Sequence, residues 1–98
     1  MTKKASDYEL SLHAESRMQQ RGIPPLAVEL IVRHGRHRWT RGGARSFYFT
    51  KDKLSRARDH LPDPAYRSVE KALKSGYVIV SSEGTVITTG WQTSRLRK

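Results

Sequence analysis

His13-Ala14-Glu15-Ser16-Arg17-Met18-Gln19-Gln20-Arg21-Gly22-Ile23 is the stretch that decides how this chain is read. At about 100° per residue, His13, Arg17 and Arg21 fall on one helical face, with the apolar Ala14 and Met18 beside them. The stripe therefore borders a core. Glu15, Ser16 and Gln19 lie on the solvated side, and Gly22 supplies the left-handed residue on which helices commonly end. A histidine and two arginines on one short rod suit phosphate chemistry. They equally suit a structural helix, whose arginine stems pack while their heads pair with Asp7, Glu9 or Glu15, and whose histidine caps the first turn.

Upstream, Tyr8-Glu9-Leu10-Ser11-Leu12 alternates apolar and polar side chains, the period of a half-buried strand. Downstream, Pro24 and Pro25 open a second helix, where a missing N–H costs nothing. Leu26 to Val32 is apolar on nearly every side except at Glu29, which marks a buried rod ending at Gly35. Arg36 to Arg41 and Ala44 to Thr50 read as a hairpin. An odd loop, set at residues 42–44, puts Trp39 on the face of Phe47 and Phe49. Arg36, Arg38, Thr40, Ser46 and Tyr48 then share the other face, either as a solvated surface or as a platform for a nucleic-acid backbone.

Between residues 50 and 75 the signals are helical. Thr50 is a cap, Leu54, Ala57 and Leu61 share a face, and Pro62 breaks the run. Asp63 caps a further helix with Pro64 at its first position, and Ala65, Val69, Ala72 and Leu73 form its apolar stripe. Tyr77–Ser81 and Thr85–Trp91 make a second hairpin. Val78, Val80, Ile87, Thr89 and Trp91 are expected on one face, with Tyr77, Ile79, Val86 and Thr88 on the other. Both faces are apolar enough for the centre of a sheet. The resulting class is α+β: a short N-terminal strand and two helices packed on a small, mostly antiparallel sheet of two hairpins, with a helical insertion between them. One domain spans residues 1–98, with 1–7 and 94–98 frayed.

The 98 residues include 19 Lys and Arg against 9 Asp and Glu, for a net charge of +10, and no cysteine. The absence of cysteine excludes a disulfide framework and a cysteine-based zinc site. His34-Gly35-Arg36-His37 has ligand-like spacing but lacks a third ligand, and no carboxylate cluster is available for magnesium, so neither metal nor cofactor is expected. No apolar run reaches the length that spans a bilayer, and Asp7 and Glu9 interrupt any signal-peptide core, which predicts a cytoplasmic protein with no membrane partner. The charge is concentrated between residues 23 and 45, with five basic residues against one acidic. Such an excess argues for a polyanion, RNA or DNA first and an acidic protein second, the alternative being a solvated basic surface with no specific partner.

The run His-Ala-x-x-Arg-Met-x-x-Arg-Gly-Ile, followed by Val28, Ile31 and Gly35, resembles the opening of a domain-of-unknown-function family of small bacterial proteins. Tyr77-Val78-Ile79-Val80-Ser81-Ser82-Glu83-Gly84-Thr85-Val86-Ile87-Thr88 is similar to that family's last strand pair. The family is grouped by fold with RelE-type toxins and other barnase-like, metal-independent ribonucleases. The resemblance implies a RelE-like fold, RNA as substrate, ribosome-bound mRNA among the candidates, and an acidic antitoxin as a protein partner.

Metal-free RNA cleavage needs a base for the 2′-hydroxyl proton, cations for the charge gathering on phosphorus, and an acid for the leaving oxygen. His13 is the candidate base or acid. Arg17 and Arg21 are candidates for stabilising the phosphate, with Tyr48 or Arg45 in support. Arg36, Arg38, Arg41, Arg45 and Arg95 are the candidate backbone-binding residues. The sequence offers no obvious second acid near His13. The competing reading is a basic module that binds nucleic acid or an antitoxin without catalysis.

Overall fold

A computed structural model describes residues 3–5 and 8–92. Six strands form one sheet: β1 (Lys3–Ala5), β2 (Tyr8–Leu10), β3 (Arg36–Trp39), β4 (Arg45–Tyr48), β5 (Gly76–Val80) and β6 (Thr85–Trp91). Their spatial order is β1-β2-β6-β5-β4-β3, and every pairing is antiparallel except β2 with β6. Among the described residues there are also four helices: α1 (Leu12–Arg21), α2 (Pro25–His34), α3 (Lys51–His60) and α4 (Asp63–Ser75). The α+β class, the two hairpins, the central position of β5 and β6, and the helical pair inserted between the hairpins all match the sequence reading. At the chain start Lys3–Ala5 pairs with β2, where a frayed end was expected. Residues 94–98 lie outside the described set.

Two helices, α1 and α3, begin on a side-chain cap, and α2 and α4 begin at prolines. The Ser11 side chain accepts from the Ala14 N–H at 3.0 Å, so α1 starts one residue before His13. At its other end Gly22 adopts φ +66°, and Ile23 N–H bonds back to the Met18 carbonyl at 2.9 Å. Thr50 caps α3 through the Lys53 N–H. The last helix starts at Asp63, with Pro62 outside it, one residue earlier than an Asp63 cap implies.

The helices bury one face of the sheet. Ala14 and Met18 of α1, Ala27, Val28, Ile31 and Val32 of α2, and Tyr66, Val69, Ala72 and Leu73 of α4 meet Leu10, Phe47, Val78, Val80 and Val86 from the strands. Burial of large members such as Ile31, Phe49 and Leu73 stabilises the fold by about 1.5–3 kcal/mol each.

Two registers differ from expectation. Trp39 pairs with Arg45 and His37 with Phe47, so the loop spans residues 40–44 and the ladder lies two residues from a 42–44 loop. The face assignment is unaffected because both loops are odd, yet Trp39 is 67% exposed: it stands past the end of the helical layer. In the second hairpin Val80 pairs with Val86 while Ile79 pairs with Thr88, which leaves Ile87 as the extra residue of a β-bulge. Val86 is therefore the fully buried residue and Ile87 is 40% exposed, the reverse of strict alternation.

Candidate nucleic-acid interface

The uncovered sheet face is organised as a row. Arg36 of β3 lies directly across from Tyr48 of β4, Tyr48 from Tyr77 of β5, and Tyr77 from Gly90 of β6. Directly opposed residues share a face, so these four line up perpendicular to the strands. A second row, Arg38, Ser46, Ile79 and Thr88, runs beside it. The Arg38 guanidinium lies over the Tyr48 ring, 5.4 Å from its centroid. Ser46, Tyr48, Tyr77, Ile79 and Thr88 are half-buried and Arg36 and Arg38 exposed, so the face is apolar at its floor and cationic at its β3 end.

The other end of the row is closed by α1. After β2 the chain turns into helix, and α1 continues along the edge of β6 that β2 leaves free. Ser11 N–H bonds the Val86 carbonyl at 3.1 Å, and its hydroxyl donates to the Ile87 carbonyl at 3.2 Å. Nearly three turns later Arg21 Nη1 donates to the Thr89 carbonyl at 3.1 Å. The Trp91 indole N–H donates to the Arg21 carbonyl at 3.0 Å, which satisfies one of the open carbonyls at the helix end and pins that end to β6. The Arg21 guanidinium consequently lies over Gly90. A β-carbon at position 90 would collide with Arg21 Nη1 and sit 2.9 Å from Tyr77 Oη. Only glycine leaves room there for a guanidinium and a phenol to converge.

His13 and Arg17 form a pair one and two turns nearer the start of α1. Arg17 Nε donates to His13 Nε2 at 3.3 Å, and its Nη1 reaches Gln20 Oε1 at 3.5 Å. His13 is exposed, whereas Arg17 and Arg21 are half-buried. The helix thus presents a histidine–arginine pair at one point and an arginine–tyrosine pair at another, about 12 Å apart at 1.5 Å rise per residue.

Arg36, Arg38 and Tyr48 share the open face with Arg21. Arg45 does not: it lies on the opposite face, its guanidinium 5.1 Å from the Phe47 ring centroid and 5.7 Å from that of Trp39. Thr40, expected on the platform, instead closes the hairpin loop by donating to the Ala44 carbonyl. The Arg41 backbone lies in a short 3-10 turn, Arg41–Gly43, and its side chain, like all of Arg95, falls outside the described residues. Tyr77 and Gly90 were missed as site residues. A glycine inside an otherwise β-branched strand was the available signal, since it marks a close approach by another group.

Among the described residues no group of three or more His, Asp or Glu side chains is arranged to hold a metal ion. No described helix is long and apolar enough to cross a membrane. Comparison of the chain with protein-family models, with curated proteins and with solved structures returned no match.

Proposed function

We propose that this chain binds RNA across the open sheet face and cleaves its backbone as a metal-independent, RelE-like endoribonuclease. The observation that carries the reading is the row Arg36, Tyr48, Tyr77 and Gly90 ending beneath the Arg21 guanidinium. It alternates what a ribonucleotide strand offers: cations for phosphates, and phenol rings for bases and sugar hydroxyls. The net charge of +10 supplies long-range attraction for the same polyanion.

In this reading the substrate phosphate draws the Arg17 guanidinium off His13, and His13 takes the 2′-hydroxyl proton at the Nε2 so freed. The 2′-oxygen then attacks the adjacent phosphorus and the P–O5′ bond breaks, leaving a 2′,3′-cyclic phosphate and a 5′-hydroxyl. Arg17, whose Nε lies 3.3 Å from His13 Nε2 in the free protein, stabilises the charge that builds on the phosphoryl oxygens. We assign Arg21, Tyr48, Arg36 and Arg38 to the flanking backbone. Tyr77, which lies beside Arg21 and about 12 Å along α1 from His13, joins the residues assigned to the flanking backbone, and the departing 5′-oxygen takes its proton from solvent water. The toxin class, a ribosome-bound mRNA substrate and an acidic antitoxin belong to the same proposal and rest on the motif resemblance.

Incubation with RNA in EDTA, followed by mapping of the ends, tests it. Wild-type chain is expected to leave cyclic-phosphate and 5′-hydroxyl termini, and His13→Ala to lose about 10²- to 10⁴-fold in turnover with RNA affinity within a few-fold of wild type. Equal cleavage by His13→Ala removes the histidine from the chemistry. Intact RNA with a salt-sensitive mobility shift supports the second reading, a binding module. That reading draws on the same row and on the engagement of Arg21 by Thr89 within the protein itself.

A further inference from the structure

Trp39 belongs to neither the core nor the row. It ends β3, the edge strand, and is 67% exposed. Scattered exposed hydrophobes are ordinary on soluble proteins, but this one is held in a built arrangement. The His37 ring meets it edge-on at 5.8 Å and packs in turn on Phe47 at 5.2 Å, so the indole is braced from a buried residue. The Arg45 guanidinium lies over the Trp39 ring at 5.7 Å. One side of the indole thus carries a cation, and the exposure leaves the other open.

The two faces of the β3–β4 hairpin repeat one theme: a guanidinium stacked on a ring, Arg38 on Tyr48 in front and Arg45 on Trp39 behind. An extended strand wrapping the free edge of β3 meets both. We infer that Trp39 is a stacking platform for one unpaired nucleobase, and that the chain therefore takes single-stranded RNA in preference to duplex. The inference rests on the RNA-binding reading of the open face and adds the strandedness of the substrate. Charge favours this occupant over an apolar partner, because Arg45 lies over the indole, Arg36 and Arg38 stand on the other face of the same edge strand, and an RNA strand brings a phosphate with every base. Duplex RNA has no free base face to offer, since its bases are stacked inside an A-form helix.

The test measures equilibrium binding, by fluorescence polarisation, of a labelled 2′-O-methyl oligouridine of about 12 nucleotides, which lacks the nucleophile for cleavage. It is compared with the same strand annealed to its 2′-O-methyl oligoadenosine complement, and with an abasic strand of equal phosphate number. Wild type is expected to bind the single strand at least about tenfold more tightly than the duplex. Trp39→Ala is expected to weaken single-strand binding by about 5- to 150-fold, Trp39→Phe by much less, and neither to change duplex or abasic binding.

Single-strand affinity unchanged in Trp39→Ala, while Arg36→Ala still weakens it, overturns the stacking platform and leaves the RNA reading standing. Failure of wild type to bind any of the three strands overturns both. A solution mass that doubles with concentration in wild type and not in Trp39→Ala assigns the indole to a second copy of the chain, and overturns the inference as well.

Discussion

Gly90→Ala isolates the convergence of Arg21 and Tyr77. The added methyl meets Arg21 Nη1 and lies 2.9 Å from Tyr77 Oη and 3.1 Å from Cζ. Of these the guanidinium is the flexible neighbour, so the chain accommodates the change by swinging Arg21 off the Thr89 carbonyl. A hydrogen bond from a charged donor is worth about 1.5–3 kcal/mol. Arg21 is half-buried and water reclaims its donors, which brings the loss to about 1 kcal/mol. Replacing a strand glycine by alanine returns roughly 0.5–1 kcal/mol through the unfolded chain. The two nearly cancel, so the urea midpoint should stay within about 1 kcal/mol of wild type at unchanged m-value. Affinity for single-stranded 2′-O-methyl oligouridine should nevertheless fall about tenfold, as one charged contact is withdrawn from the strand. Arg21→Ala should fall as far, and the double variant no further, because both substitutions remove the same contact. A Gly90→Ala protein that keeps its midpoint and binds the oligonucleotide like wild type refutes the reasoning.

The bulge at Ile87 predicts a sharp contrast between neighbours. Val86→Thr puts an unpartnered hydroxyl in the core and should cost about 1–3 kcal/mol in urea unfolding, whereas Ile87→Thr should cost under about 1 kcal/mol; equal losses would place the bulge elsewhere. Tyr66 is buried with its hydroxyl unpartnered among the described residues, so Tyr66→Phe should raise stability by about 1 kcal/mol, and a clear loss in thermal unfolding would reveal a bond the hydroxyl makes. Arg36→Ala and Arg38→Ala should each flatten the dependence of log K on log salt by about 0.7 for a single strand, without moving the unfolding midpoint; slopes equal to wild type take those arginines off the backbone.

Local chemistry made the helices legible. Gly22, Thr50 and the proline pairs are punctuation that acts within a few residues, and the structure departs from it by a residue at most, whereas Ser11, read as part of the strand, is the cap of α1. The faces of the first hairpin were legible for a similar reason, since parity survives a two-residue error in register. The bulge was not. Val86 and Ile87 are both apolar and β-branched, so nothing in the pair says which one turns inward; the long-range pairing of β6 with β5 and β2 decides it. Exposure of Trp39 escaped for a different reason. Alternation names a face but not how far the helical layer extends over it.

The candidate site divides along the same line. His13, Arg17 and Arg21 were visible as a stripe because helical spacing is local. Tyr77 and Gly90 join it only through strand register, across most of the chain. Arg45, grouped with its neighbouring arginines by charge, is separated from them by the pleat.

The seam between α1 and β6 also sets when the surface can exist during synthesis. Its contacts, from Ser11 to Ile87, from Arg21 to Thr89 and from Trp91 to Arg21, join residues 76, 68 and 70 positions apart. A nascent chain carries its histidine and arginines out of the ribosome early, but they acquire their tyrosine and glycine neighbours only once β6 has emerged and zipped against the waiting rod. The cationic row is therefore completed only after β6 has been synthesised, and a product truncated ahead of β6 lacks the end at which Arg21 meets Gly90.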